Sequence, residues 1–106
     1  MIDFLESYYY ASPEASENSD RQRAKRKGFS QIIPLLFENE LTEKQSMCLK
    51  YKYLYGKSQN EIAKTLKLSQ PTVSRHIRAG KEAVNSKLTY CWAAMTAALN
   101  EYDKLN

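Results

Sequence analysis

Ser58-Gln59-Asn60-Glu61-Ile62-Ala63-Lys64-Thr65-Leu66-Lys67-Leu68-Ser69-Gln70-Pro71-Thr72-Val73-Ser74-Arg75-His76-Ile77 is the stretch that decides the fold. Ser58 is a good helix N-cap, and Glu61 three residues on has the spacing of a capping box, in which each side chain satisfies an orphan amide of the first turn. Ile62, Ala63 and Leu66 then share one side of a short helix that runs out near Leu66-Lys67-Leu68. Ser69 caps a second helix, and Pro71 is tolerated in its first turn, where a backbone donor has no intrahelical partner to lose. Ala63 is small where the two helices must approach, Leu68 plugs the space between them, and Val73 and Ile77 turn inward. Two short capped helices across a tight turn predict a helix-turn-helix at 58–79.

The outward face of the second helix holds Thr72, Arg75, Arg78 and Ala79, with Gln70 and Ser74 flanking it near the N-terminal end. Arg grips guanine bidentately, Gln grips adenine, and Thr offers a hydroxyl and a methyl group. A helix N-terminus also favours phosphate. The residues expected to touch DNA are therefore Ser69, Gln70, Thr72, Ser74, Arg75, His76, Arg78 and Lys81, joined by Lys57 and Lys64 from the preceding segment. His76 has no carboxylate or cysteine partner in the pattern, so a flanking place on a DNA-facing helix suits it better than catalysis.

Charge supports that face. Residues 57–81 hold six bases against Glu61, a balance of +5, and residues 21–27 hold five bases and no acid. Residues 1–20 hold five acids and no base, and residues 82–106 come to −1. The positive patch is thus larger than the overall +4 suggests, and it suits an anionic partner. The run at 21–27 is either a phosphate-gripping arm or a solvated helix start that balances the acids before it.

Outward from the motif, the pattern stays helical. Thr42 and Gln45 make another capping box, followed by Met47, Tyr51, Leu54 and Tyr55 on one face. Lys50 to Tyr55 also alternates like a strand, but the cap and the stop at Gly56 favour a helix. The tri-helical core is expected to be Met47, Tyr51, Leu54, Ile62, Leu66, Val73 and Ile77. Tyr51 and Tyr55 are read as core with their hydroxyls at the edge, rather than as a base-stacking platform. Arg21 to Phe37 reads as a helix with Phe29, Ile32, Ile33 and Leu36 on one side, kinked or restarted at Pro34. Phe4, Leu5, Tyr8 and Tyr9 suit one short amphipathic turn. Ala11 to Asp20 has little to bury and reads as a linker. A stripe of Val73, Ile77, Val84, Leu88, Cys91, Met95 and Tyr102 holds helical phase, so the second helix of the motif either continues as a long C-terminal helix or breaks near Gly80 or Lys87.

The expected fold is all-α: a helix-turn-helix with a long C-terminal helix. Its parts are an acidic, partly flexible segment at 1–20, a DNA-binding domain at 21–88, and a C-terminal helix at 82–106 for dimerisation or core packing. At 106 residues the expectation is one domain, or two at most if one of them is tiny. Two cysteines and one histidine cannot supply a four-ligand zinc site, and Cys48 and Cys91 are expected as small buried apolar groups. No apolar run reaches the roughly 18 residues of a membrane span, and the acidic start lacks the basic end of a secretory signal. A reducing cytoplasm, nucleoid-associated when DNA is bound, is the expected location. No catalytic group, metal or cofactor is expected.

Leu41 to Gln45, Tyr51 to Ala63 and Leu68 to Ser74 together resemble region 4 of sigma-70-type RNA polymerase sigma factors, a motif shared with response-regulator DNA-binding domains. The resemblance spans roughly Leu41 to Leu88. It implies that the second helix of the motif reads the major groove of promoter DNA, with Gln70, Thr72, Ser74, Arg75 and Arg78 in the reading helix, and that RNA polymerase is a second partner. Lys67 stands where the family has Gly in the turn; a left-handed Lys costs about 1 kcal/mol, so the turn is expected to differ. The chain has no room for the core-binding and melting region of a full sigma factor, and residues 89–106 match nothing in the pattern.

Two functions follow. The first is a sequence-specific regulator that binds double-stranded DNA. The second is a sigma-like adaptor whose main partner is RNA polymerase or another protein. A homodimer is also expected, because Val84, Leu88, Cys91, Trp92, Met95, Leu99 and Tyr102 extend past the tri-helical core and need cover. Either the N-terminal segment or the same helix of a second chain could provide it, and the interrupted N-terminal segment makes the second chain the preferred cover.

Overall fold

The computed structural model describes residues 2–10 and 19–105. Among the described residues there are five helices and no strand: α1 Phe4–Tyr10, α2 Asp20–Asn39, α3 Glu43–Tyr53, α4 Gln59–Leu66 and α5 Gln70–Leu105. The all-α helix-turn-helix expectation holds. None of these helices is long and apolar enough to cross a membrane.

The 36-residue α5 is the spine. At a rise of 1.5 Å per residue it is about 54 Å long, which accounts for the 55 Å long axis of the molecule. It runs unbroken through both Gly80 and Lys87. Gly80 is buried because α3 crosses there: a Cβ on Gly80 would stand 3.0 Å from Leu49 Cδ1. Helices α3 and α4 pack on the N-terminal part of α5 and form the tri-helical unit. Val73, Ile77 and Ile62 are buried in it.

Two core residues expected on α3, and the turn after α4, need correction. Leu54 and Tyr55 are exposed, whereas Cys48, Leu49 and Tyr53 are buried; Tyr51, half-buried, packs against the core as expected. The helix ends at Tyr53 with Leu54 as its C-cap and Gly56 at φ 65°. A face phased through Leu54 and Tyr55 therefore extends past the last helical turn. Tyr53 is buried because α1 gives it a partner, with Tyr9 stacked on it at 4.8 Å. In the turn between α4 and α5, Lys67 adopts φ 57°, ψ 44°, so the left-handed geometry is kept without glycine. The Leu68 amide donates to the Ala63 carbonyl at 2.9 Å, the bond that closes this type of helix end.

Helix α2 continues through Pro34 without a restart, and Pro34 sits on the exposed side between buried Ile33 and Leu36. Ser19 caps it and Asp20 is its first residue, so the last two residues of the expected linker are structured; its other residues, 11–18, lie outside the described residues. Helix α2 runs antiparallel to α5: Arg21 meets Asp103, Phe29 meets Trp92, and Gly28 lies against the Met95 thioether. Helix α1 joins the same core, with Leu5 fully buried and Phe4 edge-on to Phe29 at 5.7 Å. These two helices of the same chain cover Val84, Leu88, Cys91, Trp92 and Met95, much of the stripe for which a second copy was expected. Toward the end of α5, Leu105 is exposed.

Candidate nucleic-acid interface

Helix α4 starts on a complete capping box. Ser58 Oγ accepts from the Glu61 amide at 3.2 Å, and Glu61 Oε1 accepts from the Ser58 amide at 3.1 Å. Hydrogen bonding of the carboxylate to the Ser58 amide and side chain favours its ionised form and lowers the Glu61 pKa. Lys57 and Lys64, one before the helix and one on it, are exposed, and Lys57 approaches Glu61 at 3.9 Å.

The start of α5 is organised by a short chain of hydroxyls. Ser69 Oγ accepts from the Thr72 amide at 3.3 Å and donates to Thr72 Oγ1 at 2.8 Å. Arg75 Nη2 donates to the same Thr72 oxygen at 3.1 Å. Arg75 thus lies back along the helix toward its N-terminus, with the rest of its donors directed to solvent. Gln70, Arg75 and Arg78 are exposed, while Thr72, Ser74 and His76 are half-buried at the edges of that face. The inward phase is set by Val73 and Ile77, which is why the polar side chains emerge together on the opposite side. The result is a convex helix face bearing two guanidiniums and the Thr72 hydroxyl, with Gln70 and Ser74 flanking it. It can enter a major groove, with Lys57 and Lys64 placed on the neighbouring element.

Lys81 departs from this set. Its ammonium is 2.7 Å from Asp3 Oδ2 and 3.3 Å from Glu6 Oε2. Asn85, buried beside it, accepts from the Leu5 amide at 2.9 Å and donates to Asp3 Oδ1 at 2.9 Å. Tyr53 donates its hydroxyl to Glu6. Burial pushes Asp3 up, but hydrogen bonds from Lys81, the Glu6 amide and Asn85, with the Lys81 charge, bring it below its ordinary value. For Lys81, burial works downward and is outweighed by Asp3 and Glu6, which raise it. Burial, with Glu6 as acceptor, raises the Tyr53 phenol strongly. Lys81 is therefore tied into the α1 junction rather than presented with Arg75 and Arg78.

The charge pattern alone missed two groups at this site. Gln59, at the start of α4, lines a hollow beside Ser74 and Arg78, and Asp3 borders the same hollow. A polar residue directly after an N-cap was the available signal for Gln59. Nothing local signals Asp3, which is 78 positions from Lys81 in the chain.

Residues 39–84 match the family model for sigma-70, region 4. The matched span holds α3, α4 and the start of α5, and leaves out α1, nearly all of α2 and the remainder of α5. No curated protein and no solved structure matches the chain. Residues 39–84 are a sigma-70 region 4-like helix-turn-helix, a DNA-binding domain of the kind used in transcription.

Proposed function

We propose that this chain, with its sigma-70 region 4-like helix-turn-helix, is a regulator that binds double-stranded DNA sequence-specifically. The first turns of α5 read base edges through Gln70, Thr72, Ser74, Arg75 and Arg78. Ser69, Lys57 and Lys64 hold phosphates, and His76 flanks the reading face. The observation that carries this reading is the arrangement of Arg75 and Arg78, exposed on a helix whose opposite face is anchored by Val73 and Ile77. Lys81 contributes only when its carboxylate partners let go. The protein performs no catalytic step and works in the cytoplasm, on the nucleoid when bound.

The second reading, an adaptor for RNA polymerase, draws support from the region 4 match itself, because the family resemblance implies a polymerase contact beside DNA. A homodimer through α5 would rest on the part of that helix beyond Met95, since the helix's own chain covers the preceding turns. Selection of bound duplexes from a random library, with and without RNA polymerase, tests the main reading. A defined sequence recovered without polymerase supports the regulator. Enrichment only in its presence supports the adaptor. Sedimentation equilibrium at micromolar concentration decides between monomer and dimer.

A further inference from the structure

Between α1, α2 and the middle of α5 lies a cleft of about 320 Å³, at the lower end of the roughly 300–1,000 Å³ range of small-molecule sites. Its apolar lining is aromatic. The Phe4, Phe29 and Trp92 rings meet with centroids 5.5, 5.7 and 6.0 Å apart, and Tyr8 forms a further wall. The rim is cationic. The Arg26 guanidinium lies 4.5 Å over the Tyr8 ring. Stacking engages the face of a guanidinium and leaves its in-plane N–H donors available. Among the described residues no carboxylate pairs with Arg26. The Lys25 ammonium lies 4.1 Å over the Trp92 ring on a side chain only 7% exposed, engaged by the aromatic cluster and not part of the cleft's lining.

An aromatic-lined cleft with a fork of hydrogen-bond donors at its edge suits an aromatic body with an anionic end. We propose that this cleft is a binding site for small aromatic anions, the ring lying against Phe4, Phe29 and Trp92 and the carboxylate accepting from Arg26. The cleft stands outside residues 39–84, so the DNA-binding match neither requires nor explains it. It gives Arg26, within the basic run at 21–27, a role away from DNA, held over the Tyr8 ring at the cleft. A guanidinium–carboxylate hydrogen bond contributes about tenfold in affinity over a neutral acceptor.

Trp92 is the only tryptophan, so its indole N–H gives one unambiguous resonance inside the site. The test titrates the full ¹⁵N-labelled chain with three probes: 2-naphthoate, its neutral counterpart 2-naphthamide, and octanoate. The expected result is a saturable shift of the Trp92 indole signal by naphthoate, with naphthamide about tenfold weaker and octanoate weaker than naphthoate. Arg26→Gln should remove the difference between naphthoate and naphthamide while leaving naphthamide binding in place. Equal affinities for acid and amide in the wild-type chain would overturn the proposal, whatever the variant does. So would tighter binding of octanoate, or perturbations centred on Arg75 and Arg78. No DNA is present in the experiment, so the result is independent of the proposed function.

Discussion

Residues 21–27 and residues 57–81 each carry a balance of +5, yet the fold uses the two stretches differently. In the first, most of the charge is engaged within the chain. Arg21 pairs with Asp103 and donates to Asn100 at 2.6 Å, Arg23 pairs with Asp20, Lys25 stands over Trp92 and Arg26 over Tyr8. In the second, Lys64, Arg75 and Arg78 are exposed, and Lys81 is the residue drawn inward. Equal charge in the sequence is therefore not equal charge offered to a polyanion. What decides is which acids and rings the tertiary fold brings alongside, and α2 has an aromatic core and the end of α5 next to it.

The sharpest way to break this comparison is at Arg75. Arg75→Ala should cost about 1–3 kcal/mol on a selected duplex and relax preference at one base pair, with a much smaller loss on random duplex. Gel shifts on both duplexes measure it. An equal loss on the two would mean that Arg75 only holds phosphate.

The next test sets one lysine from each stretch against the other. Lys64→Gln should reduce the slope of log affinity against log salt by about 0.9, the share of one neutralised phosphate. Lys27→Gln should leave that slope unchanged. If Lys27→Gln flattens the slope as much as Lys64→Gln, the run at 21–27 is a phosphate-gripping arm after all and the contrast between the stretches disappears.

Lys81 gives a smaller effect of opposite sign. Asp3→Asn combined with Glu6→Gln should free its ammonium and steepen the salt slope by up to about one phosphate's share, whereas Lys81→Ala alone should leave DNA affinity unchanged. Acid titration checks the same junction. The folded-state pKa of Asp3 is lowered, so the unfolded chain takes up its proton first as pH falls. The stabilisation is present above the ordinary carboxylate value of 3.8 and is lost as pH falls through the lower folded value. Asp3→Asn should therefore lose less Tm than wild type between neutral pH and about pH 3. Parallel Tm curves for the two proteins would show that the ion pair contributes nothing.

Much of the helix-turn-helix was legible because its signals are local. Ser58 with Glu61, and Thr42 with Gln45, mark helix starts within four residues, and both boxes form. The inward phase of Val73 and Ile77 fixes which way Arg75 and Arg78 face. What could not be read was set by distant partners. Tyr53, not Tyr55, is buried because Tyr9 stacks on it. The apolar stripe on α5 looked uncovered because nothing local says that α2 will lie antiparallel along it, with Gly28 making room for Met95. Lys81 looked like its basic neighbours until Asp3 and Glu6 arrived from the other end of the chain.

The smallest expected effect concerns Lys67, which belongs to the second basic stretch and carries the left-handed turn at φ 57°. A left-handed residue with a Cβ costs about 1–2 kcal/mol, and glycine removes most of that at the expense of some unfolded-state entropy. Lys67→Gly should therefore stabilise the chain by about 0.5–1 kcal/mol, a rise in Tm of roughly 2–6 °C for a domain of this size. The turn's hydrogen bond from Leu68 to Ala63 needs no side chain at 67, so nothing compensating is lost. Lys67→Gln separates geometry from charge, because it keeps the strained Cβ and removes the ammonium; its Tm should match wild type. Salt titrations of DNA affinity then show what the lysine is for. A flatter slope in both variants places Lys67 with Lys64 among the phosphate contacts and explains why a strained cation is held in the turn. An unchanged slope together with a higher Tm for Lys67→Gly would leave the strain without a binding role and remove Lys67 from the charge offered to DNA.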